Sequence, residues 1–435
     1  MYILHSSPLL LALSAAVMTA VSAVNTVSTV PIKTLRNPKH LNANSLTRRY
    51  FQKRDGVSSS SPLTNIENDV IYTVPLQLGT PPQSFNVAID TGSPITWISS
   101  SNCTGSGCDN STRFDCSASS TCKPISNGGF NASYVSGQGV IGNYASETFT
   151  LGSLKFTGVA GLVTENDAQF PADVDGLMGL WYYAAEGDVP ILNVLQSSAA
   201  LVNNMIGIWL ETSTATTNTA PGGEITFGGV DTSRYSGNIT YVDCVSDRPW
   251  TIPVSGLTVG NTSISVTGVT AAIDTGTTAL LVPETVANAI HAVIPGAVNT
   301  DQGWFIPCSG NTNTTFQFGT FKGVIPYSML AIQSTAQNTD QGNFCLSAAM
   351  YPTGETETIE QWLVGDAFLK NVYSVFDFSS STTRIGFAQL GSGGTSSNGT
   401  VGSGSTANAA TWTIPSTTVM ALQALSVVSI LFAAL

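Results

Sequence analysis

From Val70 onward, apolar and polar positions alternate in short runs. Val74, Leu76 and Leu78 alternate with polar or turn-compatible neighbours, Thr80-Pro81-Pro82-Gln83 turns the chain, and Phe85, Val87 and Ile89 alternate again. A period of two puts such side chains on one face of a strand. The segment therefore reads as a β-hairpin whose second strand ends at Asp90. Further short runs follow at 147–151, 224–227 and 239–242. Helical stretches are few, at 190–197, 283–293 and 326–332, so the fold class reads as mostly β.

The pattern is duplicated. Ala88-Ile89-Asp90-Thr91-Gly92-Ser93 in the first half matches Ala272-Ile273-Asp274-Thr275-Gly276-Thr277 in the second. Each is followed by an apolar pair and a glycine, Leu177-Met178-Gly179 and Leu363-Val364-Gly365, at offsets of 89 and 91 residues from the aspartate. Two paired elements at nearly equal spacing point to two homologous lobes. The join falls near 241–245, giving an N-terminal lobe at 55–242 and a C-terminal lobe at 243–391.

The ends break the alternation. Residues 1–23 have a short apolar core at 9–16 and small residues Val21-Ser22-Ala23 at a cleavage position, which reads as a signal peptide, the alternative being a membrane anchor. Residues 24–54 are basic and end Arg48-Arg49-Tyr50-Phe51-Gln52-Lys53-Arg54, the form of a pro-segment with a dibasic processing site, or else of a disordered basic arm. Residues 392–410 form a Gly/Ser/Thr-rich stalk. The uncharged apolar tail of 411–435 fits a GPI-attachment signal, with Asn408 as attachment site; a transmembrane helix is the rival reading, but no Lys or Arg follows to hold a cytoplasmic end.

Charge sharpens the division. Seven of the 15 Lys and Arg lie in 33–54, and all 27 Asp and Glu lie at or after Asp55, so a chain starting there carries eight basic and 27 acidic groups, a balance of −19. That body is a poor partner for nucleic acid or an anionic membrane, and its self-repulsion relaxes in acid. Membrane association is expected only through the anchor, and a monomer is expected. Only 10% of residues are charged, against about 25% in a typical soluble domain, so other polar groups keep the surface wet. Seven Asn-x-Ser/Thr sequons, at Asn102, Asn110, Asn131, Asn238, Asn261, Asn313 and Asn398, add sugar to those groups and point to a secretory route.

The candidate chemistry narrows by elimination. Of three histidines, His5 and His40 lie in segments expected to be removed, and His291 stands alone on a helix, so a Ser-His or Cys-His hydrolase lacks a base. No zinc-ligand spacing occurs, and no metal or cofactor is expected. Gly137-Gln138-Gly139-Val140-Ile141-Gly142 has the spacing of a dinucleotide fingerprint, but 144–151 continues as a strand where a helix is required, so it reads as a Gly-rich hairpin. Two carboxylates remain, each at the end of an apolar strand. Gly92 and Gly276 allow a tight bend that brings amides to the carboxylate. Ser93 and Thr277 can hydrogen-bond its outer oxygen, and the hydroxyls of Thr91 and Thr275 can bond across to the opposing loop. Facing carboxylates cannot both ionise cheaply, so the pair shares a proton and holds an acid and a base at one pH.

On these residues the chain resembles the pepsin-like aspartic proteases, from about 68 to 390. That family is itself the standard example of paired carboxylates with separated pKa values. Asp90-Thr91-Gly92-Ser93 and Asp274-Thr275-Gly276-Thr277 match its two catalytic loops. The segments from Asp175 to Leu180 and from Trp362 to Leu369 match the apolar-Gly elements behind them. Trp97 matches the tryptophan that hydrogen-bonds the flap tyrosine, and Tyr134 matches that tyrosine. The resemblance implies a bilobal β fold, acid-pH hydrolysis of peptide bonds by activated water with Asp274 as base, and polypeptide substrates. The dibasic pro-site and GPI-like tail most resemble the yapsin-like, cell-surface branch. Val135 replaces the usual glycine after the flap tyrosine, and Ser136 stands where some fungal members carry an acidic residue, which implies hydrophobic rather than basic preference at the scissile bond. A catalytically silent surface-binding protein of the same fold is the alternative, and Val135 is its one support.

The four cysteines Cys103, Cys108, Cys116 and Cys122 allow three pairings. The resemblance implies Cys103–Cys108 and Cys308–Cys345, with Cys116–Cys122 as an extra bridge and Cys244 left as a buried thiol.

Overall fold

The computed structural model describes residues 56–391, apart from 135–137, 169, 183–189, 214–216, 246–249, 301, 340–341, 352–361 and 381. The segments read as signal peptide, pro-segment, stalk and anchor signal lie outside the described residues, as do Val135, Ser136, Asn398 and Asn408.

The fold is mostly β, as the alternation implied. Strands Ile71–Leu78 and Gln83–Asp90 pair antiparallel, with Val74 opposite Val87 and Leu76 opposite Phe85. All four side chains are buried, so the period of two reports a real inner face. The Gly-rich segment is a hairpin: Lys123–Ser133 pairs with Gly139–Leu151, Ser133 facing Gly139.

The sequence duplication reappears as a duplicated three-strand unit. In the first half, Gln83–Asp90 runs parallel to Gly176–Gly179, placing Asp90 opposite Gly179, and Trp97–Thr104 lies antiparallel beyond it. In the second, Thr270–Ile273 runs parallel to Trp362–Val364, placing Ile273 opposite Val364, and Leu280–Leu281 lies antiparallel beyond it. The central strands are apolar without alternation because neighbours cover both faces: Leu177, Met178 and Val364 are wholly buried.

The sheets do not follow the repeat. A 13-stranded sheet holds most strands of the first half, and the last two strands of the described chain, Val372–Asp377 and Arg384–Leu390, enter it between Met205–Leu210 and Tyr235–Asp243. Three smaller sheets of five, four and four strands carry the rest of the second half. The halves are also joined through Trp250, which is 1% exposed. Its indole donates to the Leu180 carbonyl at 3.0 Å, and its ring packs edge-on against Phe376.

Helices form at Ile191–Ser197, Glu284–His291 and Tyr327–Leu330, within the expected stretches. Each follows a proline, whose fixed φ suits the entry to a helix. A fourth, Asp366–Leu369, was not legible, since four residues are too few to show a period. Disulfides join Cys103 to Cys108, Cys116 to Cys122 and Cys308 to Cys345, and Cys244 is a buried free thiol. The six sequon asparagines among the described residues, Asn102, Asn110, Asn131, Asn238, Asn261 and Asn313, are all exposed. Among the described residues, no helix is long and apolar enough to cross a membrane.

Candidate active site

Asp90 ends its strand, Asp274 follows directly on the equivalent one, and the two meet at the join between the three-strand units, both 0% exposed. The contact is held by a reciprocal lock. Thr91 Oγ1 donates to the Ile273 carbonyl at 2.9 Å, and Thr275 Oγ1 to the Ile89 carbonyl at 3.0 Å. Each hydroxyl also accepts the other threonine's backbone N–H, at 3.1 and 3.2 Å. A threonine supplies donor and acceptor on one short, stiff side chain, which is what a four-bond lock between two backbones requires.

The glycines bring their amides to the carboxylates, as the sequence implied, and do one thing more. Neither Gly92 nor Gly276 has a positive φ. What matters is the missing side chain: a Cβ on Gly92 would stand 2.8 Å from Asp274 Oδ1, and one on Gly276 would stand 2.5 Å from Asp90 Cγ. Glycine is needed so that each loop can approach the opposing carboxylate. The same holds behind the loops, where a Cβ on Gly179 would meet the Ser93 carbonyl at 2.6 Å. On Gly365 it would strike the Thr277 carbonyl.

The hydrogen bonds to the carboxylates are unequal. Asp90 accepts the Gly92 amide at 2.8 Å on Oδ1 and the Ser93 hydroxyl at 2.5 Å on Oδ2. Asp274 accepts the Gly276 amide at 2.9 Å, the Thr277 hydroxyl at 2.6 Å and, across the join, the Gly92 amide at 3.0 Å. Burial pushes the Asp90 carboxyl well above the usual carboxylate range, and the neighbouring Asp274 charge adds to it. Burial also raises Asp274, but the Thr277 hydroxyl and the Gly276 and Gly92 amides oppose it. Three donors on Asp274 against two on Asp90 favour the negative charge on Asp274 and the proton on Asp90.

Trp97 and Tyr134 come together in one buried cluster, but not as expected. The indole N–H and the phenol hydroxyl are both buried without a hydrogen-bond partner, so the expected bond between them is not formed. The indole still lies close enough to oppose the rise in the Tyr134 pKa that burial and the Asp90 charge cause. Both rings pack instead against Phe170, edge-on, with centroids 5.6 Å from Trp97 and 6.1 Å from Tyr134. Nothing local in the sequence marked Phe170, because the contact joins three distant segments.

Two further residues escaped the sequence reading. Thr278 donates to the Val70 carbonyl at 2.6 Å, tying the second loop to the first hairpin. Asp366 is 1% exposed, neither carboxyl oxygen has a hydrogen-bond partner, and burial holds its pKa well above the ordinary value. A signal for Asp366 existed in the repeat: Gly179 is followed by Leu180, but Gly365 is followed by a carboxylate. His291 stands apart, stacked on Trp304 at 4.4 Å with Nδ1 2.6 Å from the Ala287 carbonyl. Among the described residues, no group of His, Cys, Asp and Glu could hold a metal ion.

The sequence model of the eukaryotic aspartyl protease family matches residues 71–390, most of the chain and all of both carboxylate loops. The chain belongs to that family. Its enzyme class follows: an aspartic-type endopeptidase of the pepsin kind. Relatives span fungi and vertebrates. Major aspartyl peptidase 1 of Cryptococcus neoformans var. grubii is 30% identical over 372 residues, covering 80% of this chain and 74% of the relative. Mucorpepsin of Rhizomucor miehei is 31% identical over 353 residues, covering 74% and 78%. Embryonic pepsinogen of Gallus gallus is 31% identical over 340 residues, covering 76% and 83%.

Proposed function

We propose that this family member is a secreted acid endopeptidase in which Asp90 and Asp274 activate water directly, without a covalent intermediate. The observation that carries the reading is the unequal donor set on two fully buried carboxylates. With the charge on Asp274 and the proton on Asp90, Asp274 takes a proton from water as it attacks the scissile carbonyl. Asp90 donates to the carbonyl oxygen. The Gly92 amide, shared by both carboxylates at 2.8 and 3.0 Å, keeps their geometry fixed as the proton changes sides. Tyr134 and Trp97, with Phe170, form an apolar wall on the first-half side that excludes bulk water from a bound peptide.

The protein reaches its site of action through a signal peptide at 1–23, loses a basic pro-segment at 24–54, and is held at the cell surface by a GPI anchor, as in the yapsin-like branch. Basic pro-segment and acidic body are complementary in charge, which supports masking of the site before processing. It acts as a monomer on polypeptides and prefers hydrophobic residues at the scissile bond, since Ser136 offers no carboxylate to a Lys side chain.

The test is cleavage of an unstructured protein across roughly pH 2.5 to 7.5, chosen to bracket carboxylate titration. Processed wild type is compared with Asp90→Asn, with and without pepstatin. Acid-limited cleavage abolished by both is the expected result. Folded, processed protein that cleaves nothing at any pH would establish the silent binding protein instead. Faster cleavage after Lys or Arg than after Phe or Leu would overturn the specificity.

A further inference from the structure

The hairpin that carries Tyr134 has an outer face that the chemistry leaves unused. Along Lys123–Ser133 the side chains alternate in and out: Ala132 and Tyr134 are buried, while Asn131 and Ser133 are exposed. Asn131-Ala132-Ser133 is a complete sequon, so the acceptor amide points away from the carboxylates on the strand that leads to Tyr134. Directly across the hairpin, Asn131 pairs with Ile141. Ile141 is 43% exposed and is one of only a few large apolar side chains that the described surface leaves open. Its neighbours in the strand, Val140 and Gly142, are buried, so the pattern offers no inward role for it.

We infer that Asn131 carries an N-linked glycan whose first sugar lies over Ile141 and sheathes the outer face of the hairpin. Side chains directly opposite in an antiparallel pair have Cβ atoms about 5 Å apart, within reach of a sugar attached to the asparagine amide. One face of a pyranose ring presents C–H groups, which remove apolar isoleucine surface from water without leaving a polar atom unpaired. The other exposed sequons differ. Asn261 lies just beyond Gly260, whose φ is +56°, at a turn, and the Asn313 side-chain oxygen already accepts the Tyr327 N–H at 3.0 Å. Only at Asn131, among the described sequons, does the sugar sit on the hairpin that bears Tyr134. The inference rests on the secretory reading, because only a chain that enters the secretory route meets the glycosylating enzyme.

Two measurements on the full chain secreted from a glycosylating host test it. Enzymatic release of glycans in heavy-oxygen water, followed by peptide mapping, marks each occupied asparagine, and a labelled Asn131 is expected. Labelled sequons elsewhere with Asn131 unlabelled would overturn the inference and leave the secretory reading standing; no label at any sequon would remove the secretory reading as well. Hydrogen exchange then reads the contact. In Asn131→Gln, amides at 129–133 and 139–143 should exchange about two- to fivefold faster, the scale of one cross-strand pair. Ile141→Ser in the glycosylated protein should give the same acceleration, and the double variant no more. Independent, additive effects would show that the sugar does not cover Ile141. Turnover of a short peptide should be unchanged in Asn131→Gln, because the side chain faces away from the carboxylates.

Discussion

Gly92 shows how narrow the tolerance is for a single residue. Its absent side chain leaves room for Asp274 Oδ1, and its amide serves both carboxylates. Gly92→Ala puts a methyl 2.8 Å from that oxygen, so the loops must part by a fraction of an ångström. Misplacement on the order of 1 Å costs about a hundredfold in rate. The expected outcome for the smaller shift is a loss of kcat of roughly tenfold, and at most about a hundredfold, with KM little changed, in a protein that still unfolds cooperatively. Unchanged kcat would mean that the loops tolerate the separation. Asp366 is a residue-scale liability of the opposite kind. Burial raises its folded pKa, so the unfolded chain ionises first and stability falls as pH rises above about 4, until the folded pKa is reached. Asp366→Asn cannot ionise in either state. Its unfolding free energy should therefore lose less between pH 4 and 7 than wild type, where a single such group steepens the slope by up to about 1.4 kcal/mol per pH unit. Denaturant titrations at both pH values check this, and parallel curves would exonerate Asp366.

At the scale of elements, the helix Glu284–His291 carries a separate acid weakness. His291 ends the helix, is 2% exposed and stacks on Trp304, and burial lowers its pKa from 6.5 to about 4. A depressed histidine binds its proton more readily in the unfolded chain. Its neutral packing thus contributes fully above pH 6.5, and the contribution is lost as pH falls to about 4. The loss amounts to roughly 3 kcal/mol. His291→Phe keeps a flat ring against Trp304 and removes the proton. The gap between its denaturant midpoint and that of wild type should therefore widen in favour of the variant as pH falls through that window, whatever the other groups contribute. A gap that stays constant with pH would show that His291 carries no acid sensitivity. The helix was legible because its apolar positions recur with the helical period; the fate of its histidine was not, since Trp304 arrives from another strand.

Over the whole molecule, charge and topology set the behaviour. A body with eight basic and 27 acidic groups repels itself once its carboxylates ionise. The processed protein should therefore be less stable at neutral than at mildly acidic pH. Added salt should recover part of the difference by screening, which the unfolding midpoint at pH 7 with and without about 0.5 M sodium chloride would show. An unchanged midpoint would put the neutral-pH weakness in buried groups such as Asp366 rather than in surface repulsion. The sequence by itself determined the strand periodicity, the duplication and the two Asp-Thr-Gly loops, because each is a local pattern repeated along the chain. It also exposed the Gly365-Asp366 asymmetry to anyone comparing the halves. Only the tertiary structure decided that Gly92 and Gly276 are required by the opposing carboxylate, that Asp274 collects three donors to two on Asp90, and that Trp97 and Tyr134 share Phe170 as a packing partner. It alone showed the last two strands entering the first half's sheet. Each of these depends on atoms from segments far apart in the chain. A local pattern fixes which way a side chain faces, but not what it meets.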